Sequence, residues 1–265
     1  MDKRIFILSD MEAVNGAVYD GYHLPRSGED DYSRRRMTGE VNAAIQACVA
    51  LGTQKITLYE AHAFYRQELP SWVAITNDGF PSNPRYDAMI FIGQHAKSSM
   101  RTAVRSHTGS SRSITRLWVN GKEFGEFGIC SAYMGCFGIP TIFLSGDRAA
   151  AREARKLIPN IETVCVEEGL GNHSAVCLSH KRAMKLINER VGVALRRAPE
   201  YKPLCVKGPV EFKIQFQYCA IADEHARIPG VKRLNDNTTI FKGRNYLSAL
   251  TAYKTLGMSL AFWDM

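Results

Sequence analysis

The chain has 265 residues, 45% of them hydrophobic and 23% charged, which allows a full core and leaves room for two domains. No apolar run is long enough to cross a bilayer, and the Asp2 ahead of the first apolar run, with acids straight after it, argues against a signal peptide; a cytoplasmic protein with no membrane partner is expected. The net charge of +8 includes the runs Arg34-Arg35-Arg36, Lys181-Arg182 and Arg196-Arg197, but these are scattered, without a nucleic-acid motif or interleaved aromatics, and read as solvated helix faces rather than a nucleic-acid surface.

The first element is a strand over 4–8, ended abruptly by Asp10 and Glu12. Over 36–51 the residues Met37, Val41, Ala44, Ile45, Cys48 and Val49 share one face, which predicts a helix that Gly52 stops. Strands follow over 55–59 and 88–93. Residues 114–119 and 122–127 flank Asn120-Gly121, a two-residue turn signal, and predict an antiparallel hairpin. After a strand over 140–145, Asp147 is placed to cap a helix ending at Leu157, with Pro159 beyond. A strand over 161–166 precedes a helix capped by Ser179, with Met184, Leu186, Ile187, Val191 and Leu195 inward. Two prolines between 201 and 209 break this pattern. Beyond them come a strand over 209–216, a short helix over 221–227, a strand over 239–241 and a last helix over 245–262.

Strands alternating with helices predict an α/β fold: a mostly parallel central sheet flanked by helices, with an antiparallel hairpin and a smaller C-terminal α+β portion. Residues 1–200 would form the catalytic domain, and 201–265 the portion packed on it. The seven cysteines are scattered with no CxxC pair, so buried reduced thiols are expected and a cysteine-bound metal is not.

In such sheets ligands bind beyond the carboxyl ends of the strands. Asp10 and Glu12 follow the first strand, His62 the second with Glu60 beside it, and His95 the third. His107 lies in a Gly/Ser-rich loop, and Glu126 starts a helix after the hairpin. Singly, each could be a capping or hydrogen-bonded residue. Together, three strands of one layer deliver Asp, Glu or His to one edge and the hairpin adds a Glu. That nitrogen and oxygen set suits zinc or a similar first-row ion. Five ligands exceed one open catalytic zinc and suit two ions sharing a carboxylate. His23, His180 and His225 fall outside any such constellation.

The segments "SDMEAVNG", "YEAHAF", "FIGQHAK", "VRSHT", "NGKEFGEFGICSAYMGCFGIP" and "LSGDRAAAREARKLIP" occur in this order. With "VEEGLGNHSAVCLS" and "ARIPGVKRLNDNTTIFKGRNYLSALTAYKTL" they span nearly the whole chain. In order and spacing the chain resembles the D-aminopeptidase family of binuclear zinc peptidases. The resemblance implies two zinc ions per chain on Asp10, Glu12, His62, His95 and Glu126, with Asp10 bridging, and His107 as catalytic nucleophile or base. It also implies a homo-oligomer, with the decamer as the known example. The strand would then end in two carboxylates because its tip is a metal site, with strand alternation turning Asp10 and Glu12 to one side. Two departures are visible: Ala13 stands where the family usually has Gly, and Glu60-Ala61 where it has Asp-Ser or Asp-Ala.

The expected activity is hydrolysis of the N-terminal residue of short peptides or amino-acid amides, by a dizinc-activated water assisted by His107. Glu60 is the candidate acceptor for the substrate ammonium. His173, in the Gly-rich turn after 161–166, is a second candidate substrate contact or a residue approaching a neighbouring subunit. The alternatives are an amidohydrolase cutting a non-peptide amide on the same scaffold, and a metal-binding protein without turnover.

Overall fold

β-branched and aromatic residues fill the strand at the start of the chain and bury nearly all of it. In a computed structural model, which describes residues 3–18, 28–53, 55–62, 65–77 and 79–255, this strand is β1 (Arg4–Ser9). The elements after it are α1 (Gly28–Ala50), β2 (Lys55–Glu60), β3 (Ala74–Thr76), β4 (Ala88–Gln94), β5 (Ile114–Val119) and β6 (Lys122–Glu123). Next come α2 (Glu126–Gly135), β7 (Thr141–Asp147), α3 (Arg148–Leu157), β8 (Glu162–Gly171), β9 (Ser174–Cys177) and α4 (His180–Arg196). The chain continues through β10 (Val210–Phe216), α5 (Cys219–Ala226), β11 (Lys232–Asn235), β12 (Thr238–Gly243) and α6 (Tyr246–Thr255). The rest of the expected last helix, and His23, lie outside the described residues.

The strands form two sheets. The larger has the order β3-β2-β1-β4-β7-β8-β9, parallel throughout except for β9, which returns antiparallel to β8. The smaller, β11-β12-β10-β5-β6, is antiparallel. The predicted hairpin is therefore an edge of the second sheet, and β5 pairs directly with β10. Strands from both sides of residue 200 share that sheet.

Alternation along β1 explains the layers. Ile5 and Ile7 join a core with Val41, Ile45, Ile187 and Val191 of α1 and α4. Phe6 and Leu8 join the opposite core with Phe127 of α2, Ala150 of α3 and Phe212 of β10. A parallel sheet covered on both faces reads as a continuous apolar run, and β4 and β7 are buried along their whole length.

The structure differs from expectation at several points. The first helix starts at Gly28, well before 36. The returning hairpin strand stops at Glu123, because the chain turns into α2 at Glu126. Asp147 stands at the N-cap of α3 but makes no side-chain cap bond; its carboxylate accepts the Gly169 N–H of β8 at 3.2 Å instead. Ser179 does cap α4, accepting from the Arg182 N–H at 3.4 Å.

One glycine sets the junction that carries the site. Gly93 has φ +73°, and a Cβ there would lie 2.1 Å from the Asp10 carbonyl oxygen and 2.6 Å from Val14 Cγ1. The close approach lets the Asp10 N–H reach the Ile92 carbonyl at 2.8 Å and the Ala13 N–H reach Gly93 at 3.0 Å. Gly93→Ala should cost about 2–4 kcal/mol, from the strained φ and from overpacking. Gly52→Ala is the control, since φ there is +78° but a Cβ meets nothing. Thermal melts should show a clearly larger loss at Gly93; equal losses would mean that the junction yields to the methyl group.

Candidate metal centre

The carboxyl ends of β1, β2 and β4 lie side by side, and the α2 N-terminus faces them through its first residue. Asp10 is fully buried. Its Oδ1 accepts the Met11 N–H at 2.8 Å and its Oδ2 accepts Gln94 Nε2 at 3.4 Å. Glu12 is on the same side, but not by strand alternation: β1 ends at Ser9 and Glu12 sits in a turn. That turn is clamped from outside. The Asn15 N–H donates to Glu40 at 2.8 Å and the Gly16 N–H to Glu167 at 3.2 Å. The Asn15 amide donates to the Leu178 and Val166 carbonyls at 2.7 and 3.2 Å.

His62 Nε2 stands 3.3 Å from Asp10 Oδ1 and 3.0 Å from Glu12 Oε2. His95 Nε2 stands 3.4 Å from both Asp10 Oδ2 and Glu126 Oε1. The two oxygens of Asp10 thus face two different histidines. Glu126 Oε1 also accepts the Gly109 N–H at 2.7 Å and lies 3.6 Å from His107 Nε2. The rings of His95 and His107 stack, with centroids 3.9 Å apart and planes 14° apart. Among the described residues, the triads Asp10–Glu12–His95 and His95–His107–Glu126 each bring three ligand atoms within 4.8 Å of one another.

The segments are held by groups behind them. Glu153 of α3 accepts the Lys97 N–H and the Gly125 N–H, both at 3.0 Å, and so fixes the chain just after His95 and just before Glu126. Nothing local in the sequence marks Glu153 for this role, because the two N–H groups it accepts come from distant segments. Arg105 is a second such residue; it lies 3.6 Å from Glu12 Oε1.

The electrostatics favour added positive charge. Burial, and then the neighbouring Glu12, lift Asp10 to about 8. Burial lifts Glu126 to about 7, against His107 and the Gly109 N–H. Burial also works to raise Glu12, but His62, the Asp10 carboxyl and Arg105 outweigh it and hold Glu12 well below the usual carboxylate range. Burial opposes charge on His62, yet Glu12 and Asp10 lift it to about 10. Asp10 and Glu126, buried this close to the charged Glu12, hold protons that cations would replace.

His95 tests whether a metal fits. Its Nδ1 lies 2.8 Å from the Ala96 carbonyl, an acceptor, and so carries the ring proton. The buried Nε2 makes no hydrogen bond, and its lone pair points at two carboxylate oxygens. Without a cation that lone pair is satisfied only by a proton held on Asp10 or Glu126; a cation between the three groups would satisfy them all. Four ligands about 2.1 Å from an ion lie about 3.4 Å apart in a tetrahedron, and the separations of 3.0 to 3.4 Å around His62 and His95 match. The donor set fits zinc or a similar first-row divalent ion.

The structure thus brings Asp10, Glu12, His62, His95, His107 and Glu126 together. Glu60 is engaged by Arg66, through Nε at 3.2 Å and a closer contact from the other guanidinium arm. His173 is exposed at the tip of the β8–β9 hairpin, 3.1 Å from the Asn172 amide. Ala13 is buried.

A family model described as D-aminopeptidase matches residues 3–73 and 80–255. The D-aminopeptidase of Bacillus subtilis (strain 168) is 26% identical over 263 residues, covering 94% of each chain. A solved structure, the Zn-dependent D-aminopeptidase DppA from Bacillus subtilis, described as a self-compartmentalizing protease, matches with a TM-score of 0.88. It is 22% identical and covers 99% of each chain, which establishes the fold. No helix among the described residues is long and apolar enough to cross a membrane.

Proposed function

The chain belongs to the D-aminopeptidase family, and on that premise we propose that it is a metal-dependent aminopeptidase with a two-zinc centre, removing the N-terminal residue of short peptides or amino-acid amides. Asp10, Glu12 and His62 would hold one ion, and Asp10, His95 and Glu126 the other. The observation that carries this reading is Asp10, whose Oδ1 faces His62 at 3.3 Å and whose Oδ2 faces His95 at 3.4 Å. When bound, such ions supply Lewis acidity, polarising the scissile carbonyl and making hydroxide accessible near neutral pH.

The chain's own residues do the rest. The His107 Nδ1–H donates to the Arg105 carbonyl at 2.9 Å, which leaves Nε2 with its lone pair on the side of Glu126. Burial, and then the adjacent His95, depress the His107 pKa below its ordinary value, against the pull of Glu126 and Glu12. A neutral imidazole with a free lone pair takes a proton at Nε2 from the attacking group and returns it to the leaving amine. The stacking of His107 on His95 fixes the angle at which that lone pair is presented. The same reading keeps the enzyme in the cytoplasm and in a homo-oligomer, with a decamer expected; the description of DppA as self-compartmentalizing supports the assembly.

A second reading, an amidohydrolase acting on a non-peptide amide with the same centre, is favoured by one observation. Arg66 already occupies Glu60, the acceptor proposed for a substrate ammonium. Metal analysis tests what the two readings share. After dialysis against a strong chelator, turnover should vanish, and it should return as zinc is restored to two ions per chain. Full turnover in metal-free protein would reject both.

A further inference from the structure

Arg105 occupies a costly position. It is 4% exposed, and a charge so buried is tolerated only when well paired. Its φ is +46°, in the left-handed region that non-glycine residues seldom adopt outside functional sites. Its backbone and its guanidinium reach different parts of the site. The backbone N–H donates to the Asn172 carbonyl at the tip of the β8–β9 hairpin, at 2.9 Å. The backbone carbonyl accepts the His107 Nδ1–H at 2.9 Å. One guanidinium arm donates to the Ala17 carbonyl at 3.5 Å, and the other lies 3.6 Å from Glu12 Oε1.

The contact with Glu12 divides its carboxylate. Oε2 faces His62 at 3.0 Å, and Oε1 faces the guanidinium. Without that partner the carboxylate can rotate and offer either oxygen, or both, to an ion. With it, one oxygen is presented and the other is held back, as groups behind a metal ligand generally fix its orientation. The same residue's carbonyl sets the His107 tautomer. One strained backbone unit therefore ties the orientation of a ligand to the orientation of the loop imidazole.

Resting on the two-ion reading above, we propose that Arg105 is a positioning residue that makes Glu12 a one-oxygen ligand through its guanidinium and holds His107 with its Nε2 lone pair inward through its carbonyl. Its role is not to touch substrate, because the guanidinium is buried behind Glu12. The left-handed φ follows from these demands: the carbonyl must meet His107 while the side chain turns back to Glu12.

Cobalt(II) is the probe, because its visible absorption reports the number and arrangement of ligands without turnover. The variants are Arg105→Met, which keeps length without charge, and Arg105→Gly, which suits the left-handed φ and keeps the carbonyl to His107 but removes the guanidinium. In both, cobalt affinity should fall by about ten- to a hundredfold, and the absorption bands should shift as Glu12 gains freedom. In Arg105→Gly kcat should fall with KM little changed. Arg105→Lys keeps the charge but has no fork to span Glu12 and Ala17; it should recover most of the affinity while its bands stay displaced. If the uncharged variants do not fold, Arg105→Lys carries the test, and bands like those of the parent would overturn the proposal. Parent-like affinity and bands in Arg105→Met or Arg105→Gly would overturn it too, while leaving the metal centre standing. A parent protein that takes up no cobalt would instead reject the metal reading, and this proposal with it.

Discussion

Asp10→Ala should release metal from both positions and reduce turnover to background. The geometry makes the effect larger than for any other single ligand. Asp10 Oδ1 faces His62, which also meets Glu12, while Oδ2 faces His95, which also meets Glu126. Removing it leaves each ion short of a ligand, and leaves His95 Nε2 without one of the two oxygens it faces. Enzymes of ordinary power accelerate their reactions by about a millionfold or more, so loss of both ions removes several orders of magnitude in kcat/KM. Elemental analysis of the variant against the parent is the check. Glu12→Ala, by contrast, should lose chiefly the ion on the His62 side. An Asp10→Ala protein that keeps the parent's metal content would show that Asp10 is not shared.

His107→Ala should do the opposite: keep the metal and lose the chemistry. His107 stacks on His95 without replacing any of the five proposed ligands. General acid–base catalysis contributes about a hundred- to ten-thousandfold, and kcat should fall by that amount with zinc content unchanged. The pH profile adds a sign. Burial and His95 depress the His107 pKa, and the neutral form is the competent base. In the parent, activity should rise with pH through a midpoint below the ordinary histidine value, and that limb should be absent in the variant. Loss of zinc in His107→Ala would instead make His107 a ligand of the ion shared by His95 and Glu126, the arrangement that their proximity also permits.

The candidate metal ligands were legible because they follow a topological rule. Parallel strands present their carboxyl ends on one edge, so Asp10, His62 and His95 could be gathered from three separate strand ends, and Glu126 from the helix start after the hairpin. The second sheet was not legible in the same way. Lys122-Glu123 is the hairpin return that Asn120-Gly121 predicts, but the pairing of β5 with β10 joins residues far apart in sequence, and no local signal reports it. Strands β3, β9 and β11 are short, with little buried apolar surface, and offer no clear period. Arg105 and Glu153 were missed for a related reason. In sequence they are ordinary charged residues on a basic chain, and their burial depends on which distant backbone N–H or carboxylate the fold brings to them. Asp147 does stand at the N-cap that its local signal indicated, but its carboxylate is taken by the Gly169 N–H of β8, which no local signal reports.

The most direct test of the aminopeptidase claim compares a D-aminoacyl amide with its N-acetylated form, on protein of measured zinc content. An aminopeptidase site must bond the free ammonium, and acetylation removes that charge while adding bulk at the same point. A site built to bond a polar group rejects an analogue lacking it by about four orders of magnitude. An aminopeptidase should release the free amino acid rapidly from the unblocked amide, act on the blocked one up to about ten-thousandfold more slowly, and lose both activities on chelation. Equal, zinc-dependent rates on the two would contradict the aminopeptidase reading and leave the amidohydrolase in its place.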